Sequence, residues 1–128
     1  MKSPKQYKDS ETQIQELKDI IQQFVVERKW LQFHTPKNLS MSIAIEAGEL
    51  MEKFQFVESE ESFQIVKEHK EEVAHELVDV LAYICSFANV CEIDLAYYFT
   101  QKMGLNRKKY PVELAQGDYG KYTKLKKG

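Results

Sequence analysis

The sequence predicts an all-α fold, an antiparallel four-helix bundle, from three observations. Apolar residues recur at every third or fourth position over most of the chain, which is the period of an amphipathic helix. No stretch of useful length alternates with the two-residue period of a strand, and there is no internal repeat. The interruptions are short polar segments that carry helix-capping residues or proline. Together these features favour helices joined by short connections.

The first helix is predicted from an apolar stripe with three-to-four spacing, and Asp9 or Ser10 is its expected cap. That stripe consists of Ile14, Leu17, Ile21, Phe24 and Val25. The next segment, "LQFHTPKN", is expected to turn the chain, because a residue before proline avoids helical geometry. The second helix is expected to open at Asn38 or Ser40 and to run to about Val57.

The third helix is predicted to begin near Phe63 and to continue to Cys91, over about 28 residues or roughly 42 Å at the standard helical rise. Asp94 is then placed to cap a fourth helix. That helix must end by Tyr110, because Pro111 cannot continue it.

The length of 128 residues fits a single domain, residues 1–128, with a flexible arm at 1–9 and a basic tail at 111–128. A formal net charge of -2 argues against nucleic acid as a partner. Cys85 and Cys91 lie six apart in a helical pattern and are expected to be unbridged, buried thiols, as in the reducing cytoplasm. No run reaches the roughly 18 to 20 apolar residues of a membrane span. We therefore expect a soluble, cytoplasmic protein.

Two predicted helices each carry a pair of acidic residues at the same spacing. Glu46 and Glu49 are three apart in the second helix, and Glu76 and Asp79 are three apart in the third. On a wheel at about 100° per residue, each pair borders the apolar arc of its helix. The arc residues are Leu39, Ile43, Ala47, Leu50 and Phe54 in the second helix and Val73, Leu77, Val80, Ile84 and Phe87 in the third. Antiparallel packing through these arcs would bring four carboxylates into one crevice.

Four converging carboxylates require a counter-charge, because like charges at close range oppose ionisation. Hard divalent cations with oxygen ligands meet that need, and Mg²⁺ or Mn²⁺ suits a site without cysteine or histidine. The alternative is a pair of ordinary acidic surfaces neutralised by lysines such as Lys53 and Lys70. A di-iron site is disfavoured, because the Glu72/His75 element has no second Glu-x-x-His partner in the sequence.

Four segments together closely resemble the all-α nucleoside triphosphate pyrophosphohydrolases of the MazG-like superfamily, and within it the dCTP pyrophosphatases. The segments are "ERKWLQFHTPKNL", "EAGELMEKFQF", "EEVAHELVDVLAYI" and "KMGLNRKKYP". The resemblance covers about residues 14 to 125. It implies a magnesium-dependent cut between the α and β phosphates of a nucleoside triphosphate, with release of the monophosphate and pyrophosphate.

The resemblance also implies roles for individual residues. Glu46, Glu49, Glu76 and Asp79 match the metal-binding acids. Hydrolysis also needs a proton acceptor for the attacking water, and an acid that the metal does not fully occupy, Glu49 or else Glu46, is expected to serve. The residues expected to bind substrate are Trp30, His34, Phe56 and Tyr83 around the base and sugar, and Lys102, Asn106 and Tyr110 along the triphosphate. The basic segment "KYTKL" at 121–125 resembles a tail that folds over the phosphates.

Two positions depart from the dCTP-directed pattern. Phe56 stands where such relatives carry tryptophan, and Ile21 stands where some carry histidine. Both departures concern the base pocket, so the sequence predicts hydrolysis without predicting strict cytosine selectivity. A homodimer or a dimer-of-dimers tetramer is expected from surplus apolar positions and from the family. The competing hypothesis is a non-catalytic helical interaction module whose acids form a solvated face.

Overall fold

The structure is a computed structural model that describes residues 6–117. Over that range it contains helices and no strands, so the predicted all-α class is confirmed. The α-helices are α1 (Ile14–Glu27), α2 (Pro36–Glu52), α3 (Ser59–Glu68), α4 (Lys70–Val90), α5 (Leu95–Lys109) and α6 (Val112–Ala115). Short 3-10 helices lie at Asp9–Glu11 and Leu31–Phe33.

The chain divides after Ile93 into two compact units. The first holds α1 to α4, and the second holds α5 and α6. A single domain over 1–128 stays a prediction. Residues 118–128 of the predicted tail, including "KYTKL", lie outside the described residues.

Helix α1 begins later than its predicted cap. Asp9 and Ser10 lie in the short 3-10 helix, and Gln13 is the N-cap of α1. Gln13 and Glu16 form a capping box in which the Glu16 carboxylate accepts the backbone N–H of Gln13 at 2.8 Å. The prediction of Asp9 or Ser10 as cap was therefore wrong, because glutamine and glutamate satisfy the free N–H groups one turn further along.

Helix α2 is shifted towards the N-terminus relative to its prediction. Thr35 is the N-cap, its hydroxyl accepting the backbone N–H of Asn38 at 3.1 Å, and Pro36 is the first helical residue. Proline is well suited to that position, since its missing N–H would have no partner inside the helix. The helix ends at Glu52, and turns follow to Val57.

The predicted third helix is two helices that meet at His69. The backbone of His69 (φ -125°, ψ 39°) is not helical, yet its N–H donates to the carbonyl of Ile65 at 2.9 Å and its carbonyl accepts from Val73 at 3.0 Å. One residue therefore terminates α3 and opens α4. Periodicity missed the break because the apolar spacing continues across it.

The predicted fourth helix is confirmed as α5. The Asp94 carboxylate accepts the backbone N–H of Tyr97 at 3.0 Å, as expected of an N-cap, and the helix ends at Lys109. Pro111 then precedes the one-turn helix α6, which the sequence did not predict.

Helix α4 packs against both α1 and α2 within the first unit. Lys53, just past the end of α2, pairs with Glu72 near the start of α4 (Nζ to Oε2, 3.7 Å), whereas Ser42, early in α2, shares a cavity with Tyr83. The two helices therefore run antiparallel. Helix α1 also runs antiparallel to α4, because Lys18, near the start of α1, is hydrogen-bonded to residues at and just past the end of α4.

The buried apolar residues of the first unit are Val25, Leu39, Cys85 and Ala88. Leu77, predicted in the core arc of α4, is instead 57 % exposed. The physical reason is that α1 and α2 cover only part of the circumference of α4 in one chain. The expected absence of a disulfide is confirmed, since Cys85 and Cys91 are both free, although Cys91 is only half-buried.

Length and composition alone would also allow α4 to cross a membrane. The central helix of a helical bundle satisfies the same criteria, and α4 carries Glu76 and Asp79 near its middle. An ionised carboxylate at the centre of a bilayer is costly. The composition of α4 therefore agrees with a core helix.

A buried lysine ties the first helix to the end of α4. The ammonium of Lys18, a residue 9 % exposed, donates to the backbone carbonyl of Ile93 at 3.0 Å. The side-chain amide of Asn89 donates to the carbonyl of Lys18 at 2.9 Å. Two hydrogen bonds of long sequence separation thus hold α1 on α4.

We predict that Lys18→Met lowers the free energy of unfolding by about 1–3 kcal/mol, because the Ile93 carbonyl loses its donor. The matched control is Lys67→Met on the exposed face of α3, which should change stability by less than about 0.5 kcal/mol. Urea denaturation followed by circular dichroism measures both. Equal effects of the two substitutions would contradict the role given to Lys18.

Candidate active site

Three carboxylates from two helices meet in the first unit. Glu46 and Glu49 are three residues apart on α2 and so share one face, while Glu76 comes from α4. One carboxylate oxygen from each lies within 4.8 Å of the others. The antiparallel packing of α2 and α4 brings these groups together, since the late part of one helix faces the early part of the other.

The acids of this cluster differ in burial and in hydrogen bonding. Glu46 and Glu76 are half-buried, and the Oε2 atom of each is buried without a hydrogen-bond partner among residues 6–117. Glu49 is exposed. Its pKa is raised by the neighbouring Glu46, first because that carboxylate can accept a hydrogen bond from the protonated form of Glu49 and then because of its negative charge. The three neighbouring carboxylates therefore carry negative charge that a positive charge between them would stabilise.

A divalent cation fits this donor set. A buried carboxylate oxygen without a donor is costly, and two such atoms beside a third carboxylate form a group of oxygen ligands for a hard ion. No sulfur or imidazole belongs to the cluster, which favours Mg²⁺ or Mn²⁺ over softer metals. Glu46, Glu49 and Glu76 are thus the described residues that would hold the ion.

Asp79, the fourth predicted acid, lies next to this group rather than in it. Its exposed side chain lines a cavity of about 250 Å³ that α4 forms with α1 and the α1–α2 connection. This volume is slightly below the range of about 300 to 1,000 Å³ that is usual for ligand pockets. Its walls are formed by Ile21, Phe24, Val25, Trp30, His34, Asp79, Ala82, Tyr83 and Ser86. Asp79 as a metal ligand stays a prediction.

The cavity brings together three of the predicted base-binding residues, Trp30, His34 and Tyr83. A second cavity of about 380 Å³, which continues towards Asn38 and Ser42 of α2, shares the same three side chains. Trp30 is positioned by its backbone N–H, which donates to Val25 at 3.0 Å. Aromatic side chains such as these three can stack on a nucleobase.

Trp30 and His34 owe their positions to the chain turn after α1. Lys29 has a left-handed backbone (φ 56°), which reverses the chain directly before Trp30. The indole then packs edge-on against Phe24, with ring centroids 5.7 Å apart. Burial lowers the pKa of His34, so its imidazole is neutral at pH 7 and can both donate and accept a hydrogen bond.

Another predicted substrate residue, Phe56, is not brought to this cavity. Phe56 is 90 % exposed and is not among the cavity residues, because α2 ends at Glu52 and Phe56 falls on the following turn. Its expected place in the base pocket is therefore not reached within one chain. Lys102 and Asn106 lie four apart on α5, and Tyr110 follows it, in the second unit. Their binding of the triphosphate stays a prediction.

Sequence reasoning missed Ser86, which is 3 % exposed and lines the same cavity. A signal was present, because Glu76, Asp79, Tyr83 and Ser86 follow one another at spacings of three, four and three. Such spacing keeps side chains on one face of a helix. The predicted face of α4 ended at Tyr83 and should have continued to Ser86.

The chain is similar to known proteins over the segment that carries the acidic residues. The model of the MazG-like family matches residues 41–125, which include all four predicted acids. The dCTP pyrophosphatase 1 of Rattus norvegicus is 38 % identical over 120 residues, covering 92 % of this chain and 71 % of that protein. The protein of the same name from Homo sapiens is 37 % identical over 120 residues, with the same coverage.

A solved structure supports the same relationship at the level of the fold. The crystal structure of a pyrophosphatase from Archaeoglobus fulgidus superimposes with a TM-score of 0.74 at 40 % sequence identity. The match covers 86 % of this chain and 99 % of that one. The matched family segment spans most of the chain and contains the acidic cluster, and the chain belongs to the MazG-like family.

Proposed function

We propose that this protein is a nucleoside triphosphate pyrophosphohydrolase that hydrolyses dCTP or a related nucleotide, including base-modified ones, to the monophosphate and pyrophosphate. The observation that carries the proposal is the acidic cluster beside an aromatic cavity, in which Glu46 and Glu76 each have a buried oxygen without a hydrogen-bond partner in the described range. The names of the dCTP pyrophosphatase relatives support the substrate class. Removing surplus or damaged nucleotides from the pool is the corresponding cellular role.

Mg²⁺, with Mn²⁺ as a substitute, is the proposed cofactor, and its ligands are Glu46, Glu49 and Glu76, with Asp79 as a fourth. The ion supplies positive charge that neutralises phosphate oxygens and lowers the pKa of a bound water. Transfer of a phosphoryl group otherwise requires mainly positioning, because its transition state spreads negative charge over several oxygens.

The chain's own groups would position the substrate and accept a proton. The base is held between Trp30 and Tyr83, and the neutral His34 offers both a donor and an acceptor to the base or sugar. Glu49 is the proposed general base, which accepts the proton of the attacking water, because it is the exposed member of the cluster and can reach a water molecule. Glu46 is the second choice.

Further substrate contacts are proposed on the second unit. Lys102, Asn106 and Tyr110 recur every four residues and could bind triphosphate oxygens. We also propose a soluble, cytoplasmic protein without a nucleic-acid or membrane partner, in keeping with its net charge of -2.

Glu76→Gln is predicted to reduce turnover at least roughly 100-fold. Mutating a residue that only hydrogen-bonds a metal ligand already lowers activity about 10- to 100-fold, and Glu76 is proposed as a ligand itself. The substitution should also abolish the rise in melting temperature that Mg²⁺ gives the wild type. Glu71→Gln, at an exposed position five residues earlier on α4, is the matched control and should leave both properties unchanged. Full activity of Glu76→Gln at saturating Mg²⁺ would refute the metal assignment.

The products of dCTP are predicted to be dCMP and pyrophosphate, and phosphorus NMR of the reaction distinguishes them from dCDP and phosphate. A panel of canonical and base-modified nucleoside triphosphates, assayed for pyrophosphate release, then measures selectivity. Formation of dCDP would refute the proposed bond cleavage. No release from any nucleotide would favour the non-catalytic interaction module.

A homodimer or dimer-based tetramer is the predicted assembly. In a single chain α1 and α4 leave large apolar side chains exposed, among them Ile20 at 46 % and Val78 at 55 %, around an apolar cavity of about 260 Å³. Exposed apolar groups of this kind favour association. Sedimentation equilibrium at micromolar concentration tests the assembly, and a monomer would contradict it.

A further inference from the structure

Ser86 lies on α4 with most of its surface buried and its side chain at the wall of a cavity. It is 3 % exposed, and no hydrogen bond to its side chain is formed within residues 6–117. A serine inside a helix can satisfy its hydroxyl on the carbonyl one turn earlier, but Ser86 does not do so. Its side chain instead forms part of the wall of the 250 Å³ cavity. A hydroxyl that lines a cavity without a protein partner is available to hydrogen-bond a ligand.

Ser86 stands at one end of an ordered row on α4. Glu76 belongs to the acidic cluster, Asp79 lines the cavity, and Tyr83 and Ser86 follow on the same helical face. Ser86 lies seven positions after Asp79, which corresponds to roughly 10 Å along the helix axis. The row therefore leads from the acids at one end to a single hydroxyl at the other.

The surroundings of Ser86 are otherwise apolar. Its sequence neighbour Cys85 and the following Ala88 are buried, and the facing wall from α1 presents Ile21 and Val25 to the cavity. Among the residues that form this cavity, the other polar groups come from the α1–α2 connection or from earlier turns of α4. A ligand atom that enters this far end therefore meets one hydrogen-bonding group, the Ser86 hydroxyl.

We propose that Ser86 is a specificity-determining residue whose hydroxyl hydrogen-bonds the substituent on C4 of a pyrimidine base. The inference rests on the proposed function, which directs the triphosphate to the acidic cluster. The base then extends along α4 from Asp79 towards Ser86. In a pyrimidine nucleotide the substituent farthest from the glycosidic nitrogen is the one on C4, so that group reaches the far end of the cavity.

The chemistry of a hydroxyl sets the resulting selectivity. Serine donates one hydrogen bond and also accepts, and its hydrogen rotates to suit the ligand. Ser86 therefore accommodates the C4 amino group of cytosine or the C4 oxygen of uracil and thymine. It disfavours a base that carries hydrogen at C4, because the hydroxyl would then stay unsatisfied.

A substrate and variant pair tests the contact directly. Wild type and Ser86→Ala are assayed for pyrophosphate release with dCTP and with the 2-pyrimidinone deoxynucleoside triphosphate, which lacks the C4 substituent. Ser86→Ala should lower kcat/KM for dCTP about tenfold. For the 2-pyrimidinone nucleotide it should change kcat/KM by less than about twofold, because the lost partner was already absent.

Two further variants separate this contact from a packing effect. Ser86→Cys keeps a similar side-chain volume with a weaker donor, so it should give an intermediate loss with dCTP and none with the analogue. Ser40→Ala, on the exposed face of α2, should leave kcat/KM for both nucleotides unchanged. Thermal melts confirm that each variant is folded before it is assayed.

The outcomes distinguish this inference from the function on which it rests. Equal losses with dCTP and the analogue, or no loss with either, would overturn the role of Ser86 while leaving the hydrolase intact. A wild-type protein that releases pyrophosphate from no nucleoside triphosphate would overturn the proposed function itself. A loss confined to dCTP supports both.

Discussion

The carboxylates of Glu46 and Glu76 are the constraint on which the rest of the first unit depends. Each places one oxygen in a buried position that no donor from the described part of the chain, residues 6–117, reaches, and Glu49 adds further negative charge at the same point. A cluster of this kind opposes the packing of the two helices that carry it. The arrangement is physically reasonable when a cation completes it, because the ion converts mutual repulsion into shared coordination. The need for that charge therefore links the fold of the first unit to its proposed chemistry.

Helix α4 meets this constraint because it is central. It packs on α2 through the acidic cluster and on α1 through hydrogen bonds of Lys18 and Asn89. One helix therefore fixes the positions of both α1 and α2. The face that carries Glu76 continues to Tyr83 and Ser86, and the proposed metal site and base pocket are thus set at a fixed distance. Rigid spacing of this kind is what phosphoryl chemistry demands of a protein.

The sequence allowed much of this arrangement to be predicted, for reasons that particular residues make clear. Asp94 and Pro111 bounded α5 correctly, because capping and proline chemistry act locally. The paired acids were found because a spacing of three fixes a shared face whatever the partner helix is. The break at His69 and the capping by Gln13 were missed, since the apolar period runs through the first and glutamine is a weak capping signal.

By itself, the sequence determined the helical class, the faces of the helices and the chemistry of their acids, because each depends on neighbours three or four residues away. Tertiary structure alone decided which acids meet: Glu46, Glu49 and Glu76 converge, while Asp79 turns to the cavity beside them. It also decided that Leu77 stays exposed and that Ser86 is buried with no hydrogen-bond partner for its side chain among residues 6–117. These outcomes depend on how far one helix covers another, a property of two segments distant in sequence that no local spacing records.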